Sequence, residues 1–120
     1  MITQQTITAT VAAGATTATA DTEIIHGEIL KVTMDVTGSS MDINLDTLGE
    51  QKAQAILNIT GNADTTYYPS VALENNAGAG VEYASGYAIR TNFVVYGKLR
   101  LSLANATPDE TVTMTITYRI

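Results

Sequence analysis

The sequence predicts an all-β protein, a single antiparallel domain of β-sandwich or jelly-roll type with about seven or eight short strands. Apolar residues alternate with threonine and other polar residues along most of the chain, which is the period-two pattern of strands. Short segments of this kind recur about every ten residues between turn-forming residues. No segment has an amphipathic helical pattern, and no linker divides residues 1–120. The chain is therefore expected to form one domain.

The front half contains five predicted strands. Threonines alternate with Ile7, Ala9 and Val11 in the first strand, and a second strand returns from Gly14 within 16–25. The segments "EILKVTMDV" (28–36) and "MDINLD" (41–46) flank the turn-forming "TGSS", so they are predicted to form a hairpin. Their predicted inward-facing residues are Leu30, Val32, Met34, Val36, Met41, Ile43 and Leu45. A polar loop or a short helical turn follows over 47–54, and "AILNIT" (55–60) is the fifth strand.

The back half begins with an extended edge segment and a long loop. Pro69 fixes its own φ and favours an extended Tyr68, so "TTYYPSVAL" (65–73) is predicted to be an edge strand. Residues 74–87 form a loop that is long for a compact domain, and long loops are commonly functional or mobile. The segments 94–105 and 111–120 alternate regularly on either side of the turn 106–110. They are predicted to form the closing hairpin.

The charge balance argues against two classes of partner. Twelve acidic and six basic residues give a net charge of −6. Nucleic acids and anionic membrane surfaces are bound through clustered Lys and Arg, which this chain does not have. The chain also has no cysteine, so neither disulfides nor thiolate metal sites are available.

No group of residues predicts catalysis or a cofactor. His26 is the only histidine, and without a nucleophile signature it is interpreted as structural or solvated, with Glu28 as a candidate partner. The D-x-N-x-D pattern of "DINLD" lacks the later Gly and Glu of a calcium loop. We interpret Asp42 and Asp46 as a solvated strand face, with a calcium ion at a subunit contact as the alternative. The sequence predicts a protein that is not an enzyme and has no cofactor or metal site.

Tyrosines cluster around the long loop, where three interpretations are open. Tyr packs its ring on a core edge, forms protein interfaces, or provides a platform for sugars. We expect a strand-and-loop arm that becomes ordered against a large partner, with residues 1–12 as a possible N-terminal arm. The candidate partner-contact residues are Tyr67, Tyr68, Pro69, Glu74, Asn75, Asn76, Tyr83 and Tyr87.

The order of segments resembles a family of small virion proteins. The matching segments are "HGEILKVTMDV", "MDINLDT", "QAILNITGNADTTYYPSVALENNAGAG" and "YGKLRLSLANATPDETVTMTITYRI". The pattern Ile-Leu-x-Ile-Thr, then Asn and Asp, then Tyr-Tyr-Pro, and the closing Gly-Lys-Leu-x-Leu-x-Leu-Ala are similar to the capsid decoration, or cement, proteins of tailed bacteriophages. Their pattern has a basic residue after the proline, where this chain has Ser70.

The resemblance implies a non-enzymatic structural protein of the virion. Such a protein is made in the host cytoplasm, binds the major capsid protein on the outer capsid surface, and stabilises the contacts between capsomers. The resemblance also implies a homotrimer at threefold positions, with no cofactor. The alternative function is a carbohydrate- or receptor-binding module on a virion or cell surface, which would use the same Tyr and Asn side chains.

Overall fold

The computed structural model describes residues 1–84 and 86–120, apart from the side chains of residues 83, 84 and 87. All regular secondary structure in this part of the chain is β-strand. The strands are β1 (Ile2–Thr10), β2 (Ala18–Asp21), β3 (Ile25–Thr37), β4 (Met41–Leu48), β5 (Ala55–Gly61), β6 (Thr65–Tyr67), β7 (Val71–Ala72), β8 (Glu82–Ala84), β9 (Tyr87–Ala88), β10 (Arg90–Thr91), β11 (Val94–Ala104) and β12 (Thr111–Arg119).

Eight of these strands form one antiparallel sheet that is divided into two halves by β11. The sheet runs β1-β12-β3-β11-β4-β5, with β2 beside β11 and β6 beside β3. Residues 94–97 of β11 pair with β3, whereas residues 98–104 pair with β4 and residues 100–103 also pair with β2. The buried faces of both halves contribute to one hydrophobic core. The predicted fold class, an all-β antiparallel protein compatible with a sandwich, is confirmed.

Strict alternation of apolar and polar residues along the strands determines which side chains form the core. Along β4, Met41, Ile43 and Leu45 are buried while the residues between them are partly exposed, as predicted. The same alternation buries Val112, Met114 and Ile116 in β12. Residues 49–52 form bends between β4 and β5, so this segment is the polar loop and not the helical turn.

Both predicted hairpins are wrong. β3 pairs with β12, β11 and β6, whereas β4 pairs with β11 and β5, so the turn after β3 crosses from one half of the sheet to the other. β11 and β12 are likewise not paired, because β12 lies between β1 and β3. Alternation shows which face of a strand is buried, but not which strand pairs with it. A short turn can join strands in the two packed halves of the sheet as readily as it joins two paired strands.

A β-bulge changes one predicted inward residue. The pairing of β3 with β12 shifts between Thr117 and Tyr118, so β3 contains one additional residue there. Ile29 is consequently fully buried and Leu30 is only partly buried, which corrects the predicted inward position of Leu30. A bulge reverses the alternation locally without a signal in the apolar pattern.

The first strand is an integral part of the sheet. β1 pairs with β12 along its nine residues, and Oγ1 of Thr6 lies 2.9 Å from Oγ1 of Thr115 on the outer face. Thr8 and Thr113 make the same contact at 3.1 Å. The possible N-terminal arm over residues 1–12 is therefore wrong for residues 2–10, which form an edge strand of the domain.

A buried carboxylate joins the two crossing turns. Glu110 accepts hydrogen bonds from Ser39 Oγ (2.8 Å) and from the Thr107 backbone N–H (3.2 Å). These bonds, with that from Ser39 the strongest influence, lower the pKa of Glu110 below its usual value. Gly38 makes room for the carboxylate, because a Cβ at this position would collide with it. Glu110 thus holds the β3–β4 turn against the β11–β12 turn.

Candidate partner-binding arm

Residues 71–91, which we call the arm, form a separate ribbon beside the main sheet. β7 pairs with β10 and β8 with β9, and in the described part of the chain these strands pair with no strand of the main sheet. Three backbone hydrogen bonds close a triangle: Leu73 N–H to Ile89 O (2.8 Å), Ile89 N–H to Val81 O (2.8 Å) and Val81 N–H to Leu73 O (2.9 Å). Three segments of the arm are thereby held together by their own backbone.

The two ends of the arm meet at the domain surface. Val71 lies opposite Thr91, and the Arg90 guanidinium donates through Nε to Ser70 Oγ and through Nη2 to Ser70 O, both at 2.8 Å. Arg90 thereby places a cationic group beside Ser70, the residue that follows Pro69. Pro69, just before the arm in sequence, and Phe93, just after it, are both buried. The arm therefore leaves and re-enters the domain at one place.

Polar side chains shape the tip of the arm. Asn75 Oδ1 accepts hydrogen bonds from the backbone N–H groups of Ala77 (2.9 Å) and Ala79 (3.1 Å), and Glu74 bridges to Gly80. All residues from 71 to 80 are exposed. Asn75 therefore has a structural role in closing the tip, whereas the exposed Glu74 and Asn76 can reach a partner.

The arm and its base expose apolar side chains. Tyr68 is 72% exposed, Leu73 40% and Val71 37%. Tyr67 differs from Tyr68, because it lies in β6 opposite Val32 and packs against the core. Tyr is enriched at protein interfaces relative to the rest of the surface, so Tyr68 is the side chain here that most favours contact with a protein.

The predicted contact residues fall into three groups. Tyr68, Glu74, Asn75 and Asn76 are exposed at the base or tip of the arm, whereas Tyr67 and Pro69 are held against the domain. The backbones of Tyr83 and Tyr87 lie in β8 and β9, and their side chains are outside the described part of the structure. The predicted stretch 67–87 thus corresponds to the arm and its base, but it lacks the returning segment 88–91.

His26 belongs to a second exposed surface that the sequence did not indicate. Its ring stacks on Tyr96, with centroids 4.2 Å apart and planes inclined by 22°. Tyr96 is 73% exposed, and its alternation with the buried Val95 was a signal for outward orientation that did not identify His26 as its neighbour. A cleft of about 320 Å³ beside the stack is lined by Ile24, His26, Tyr118 and Ile120.

Glu28 does not pair with His26 as its proximity in sequence predicted. It accepts hydrogen bonds from Asn92 Nδ2 (3.2 Å) and Arg119 Nη1 (3.4 Å). Among the described residues, no carboxylate is hydrogen-bonded to the His26 ring. A carboxylate is the group that commonly orients a histidine acting as a general base.

The acidic face of β4 agrees with the strand-face interpretation. Asp42 and Asp46 are four residues apart on one strand, about 13 Å along its axis, so they cannot bind one ion together. Asp42 accepts hydrogen bonds from Thr60 (2.8 Å) and Asn105, which lower its pKa, whereas burial raises the pKa of Asp46. Within the described residues, no three His, Cys, Asp or Glu side chains are grouped as metal ligands.

Comparisons with family models, with curated proteins and with solved structures return no match. No helix that could span a bilayer is found among the described residues. The geometry therefore defines an antiparallel β domain with an arm of separately paired strands.

Proposed function

We propose that this protein is a non-enzymatic structural protein of a tailed-bacteriophage virion. It binds the major capsid protein on the outer surface of the shell and stabilises contacts between capsomers, arranged as trimers at threefold positions. The observation that carries the proposal is the arm, because in the described part of the chain its strands pair only with one another and its base exposes Tyr68, Val71 and Leu73. The resemblance to capsid decoration proteins supplies the identity of the partner.

The arm has the properties of a docking element. Its backbone is organised before binding by the Leu73–Val81–Ile89 triangle, which reduces the entropy lost when a partner is bound. The exposed Tyr68 and Leu73 offer the area that contact with a protein would bury. Repeated copies on a shell would add avidity to such small contacts.

Excision of the arm tests the proposal directly. Because Val71 and Thr91 are paired neighbours, residues 71–91 can be replaced by a two-residue Gly linker without separating β6 from β11. The eight-stranded sheet and its core should fold unchanged, which circular dichroism and thermal unfolding would check. We expect the variant to lose binding to capsids of the encoding phage prepared without the protein, and to lose protection of those capsids against heat and low salt.

A point variant with a matched control refines the test. Tyr68→Ala removes an exposed ring at the arm base, and Tyr96→Ala removes an equally exposed ring on the domain, 72% and 73% exposed respectively. Loss of a central interface Tyr costs about 2 kcal/mol, which is about a 30-fold weaker capsid affinity. We expect that loss for Tyr68→Ala and little change for Tyr96→Ala.

Two outcomes would reject the proposal. Capsids whose stability is the same with the wild-type protein and without it would exclude the stabilising function. Binding of the isolated protein on a glycan array, lost in Tyr68→Ala, would favour the carbohydrate-binding alternative. Hydrogen exchange adds an independent measurement, because residues 67–87 should be more protected on the capsid than in free protein.

A further inference from the structure

The free edge of β5 is an unprotected strand edge. β5 pairs with β4 on one side, and in the described part of the chain no backbone group of β5 pairs with another strand on the opposite side. Its sequence "AILNITG" contains no charged residue and no proline. Natural proteins commonly protect such edges with Lys, Pro, inward charges or a covering segment, because an open edge is a template for another strand.

The other edges of the main sheet are better protected. β6 has only three residues and is followed by the buried Pro69, and β2 has four residues and contains Asp21. β1 is long, but β2 lies close to it and Gln5 Oε1 accepts a hydrogen bond from the Glu23 N–H on that side. The bulge opposite Leu45 and Asp46 leaves the open run of β5 regular over residues 57–61.

The chemistry of this edge fits a second copy of the same strand. In an antiparallel pair centred on Asn58, each Asn58 lies opposite the Asn58 of the other copy, and Leu57 lies opposite Ile59. The pairing keeps apolar residues on the core side, since Leu57 is 8% exposed and Ile59, at the edge, is only partly buried in one copy. Ile59 would gain an apolar neighbour that the isolated chain does not provide.

Charge does not oppose this pairing. β5 itself contains no charged residue. The acidic β4 strands would lie three strand spacings apart, about 14 Å. That separation exceeds the screening length of about 8 Å at physiological salt, so their repulsion is weak.

We propose that β5 is a self-association edge, at which two copies of this chain pair antiparallel about a twofold axis through Asn58. The interface is independent of the arm and does not depend on the proposed function. A twofold contact joins copies in pairs, and together with a threefold contact it would give assemblies with an even number of chains.

Disulfide trapping tests the pairing in a chain that has no native cysteine. Directly opposed residues of an antiparallel pair have Cα atoms about 4.5–5.5 Å apart, which a disulfide can bridge. Under mild oxidation, we expect most of the Asn58→Cys protein to run as two linked chains on a denaturing gel. The control Thr19→Cys is exposed on β2, away from the edge, and should remain unlinked.

Charge pairing at the axis tests the register by a second route. Asn58→Lys and Asn58→Asp each place two like charges opposite one another, so each variant alone should lose the even-numbered assembly in light scattering. An equimolar mixture should recover it. Asn58 is exposed, and circular dichroism would check that both variants fold.

Three results would overturn the proposal. One is a wild-type mass of one or three chains at every concentration, together with no disulfide in Asn58→Cys. Another is an Asn58→Lys mass equal to that of the wild type. The third is faster linking of Thr60→Cys than of Asn58→Cys, which would exclude an axis at Asn58. Each of these leaves the arm and capsid binding untouched, so failure here is distinguishable from failure of the proposed function.

Discussion

Three glycines of the main sheet provide a graded test of backbone packing. Gly27, Gly61 and Gly97 have similar φ values of 155°, 158° and 136°. A Cβ added at Gly27 would collide with the carbonyl oxygen of Arg119, and one at Gly97 would lie 3.3 Å from the carbonyl oxygen of Leu48. A Cβ at Gly61 meets nothing within 4 Å. Alanine therefore introduces the same kind of backbone strain at all three positions. The steric overlap of its Cβ with the neighbouring strand is severe at Gly27, slight at Gly97 and absent at Gly61.

The expected losses in the free energy of unfolding follow the order of steric overlap. Gly61→Ala should lower the free energy of unfolding by about 1–2 kcal/mol, because the strain of Ala at positive φ outweighs the reduced entropy of the unfolded chain. At Gly27 the β12 backbone must move by about 1 Å, and overpacking of this kind costs about 1–3 kcal/mol more. Gly97→Ala should lie between the two.

Urea unfolding at one protein concentration, followed by circular dichroism, measures the three variants against the wild type. The slope of the transition should be unchanged if only stability is affected. A Gly27→Ala variant within about 0.5 kcal/mol of Gly61→Ala would refute the reasoning, because the close approach of β3 to the end of β12 would then carry no energetic consequence.

The remaining predictions concern the core and two carboxylates. Leu101→Ala, at a fully buried position of β11, should destabilise the protein by about 2–5 kcal/mol in urea unfolding, whereas Ser102→Ala on the outer face should change it by about 0.5 kcal/mol or less. The pKa of Glu110 is lowered on folding, so its contribution to stability is complete above the usual Glu pKa and is lost as the pH falls through the lowered value. Glu110→Gln should flatten that acid limb in thermal unfolding, and an unchanged limb would contradict the assignment. Asp21→Asn removes the exposed pair with Arg100, whose hydrogen bond lowers the pKa of Asp21, and should cost less than about 1 kcal/mol, an effect that added salt diminishes.

The sequence was sufficient to predict the strands of the main sheet and the buried faces of most of them, but β8 and the start of β9 lie where the loop 74–87 was predicted. Met41, Ile43 and Leu45 show why, because alternation in a half-buried strand determines which side chains face the core. Pairing was not predictable in the same way. β3 and β12 are far apart in the chain, and their register depends on a bulge that the apolar pattern does not encode.

The candidate site was predictable in position more than in detail. Pro69 and the long run of small residues located the arm, whereas the Arg90–Ser70 contact joins residues that no local pattern relates. Asn75 shows the opposite case, since Asn followed by small residues is a recognised turn former and its side chain closes the tip. The stacking of His26 on Tyr96 depends on the pairing of β3 with β11, which the predicted hairpins did not include.

The position of β11 late in the chain has a consequence for synthesis. β2, β3 and β4 all pair with β11, yet they leave the ribosome long before it. Nascent chains that end before residue 94 would therefore have open strand edges and no closed core, and folding would await the synthesis of β11 and β12. Such late closure favours slow folding and recruitment of chaperones that shield exposed strands.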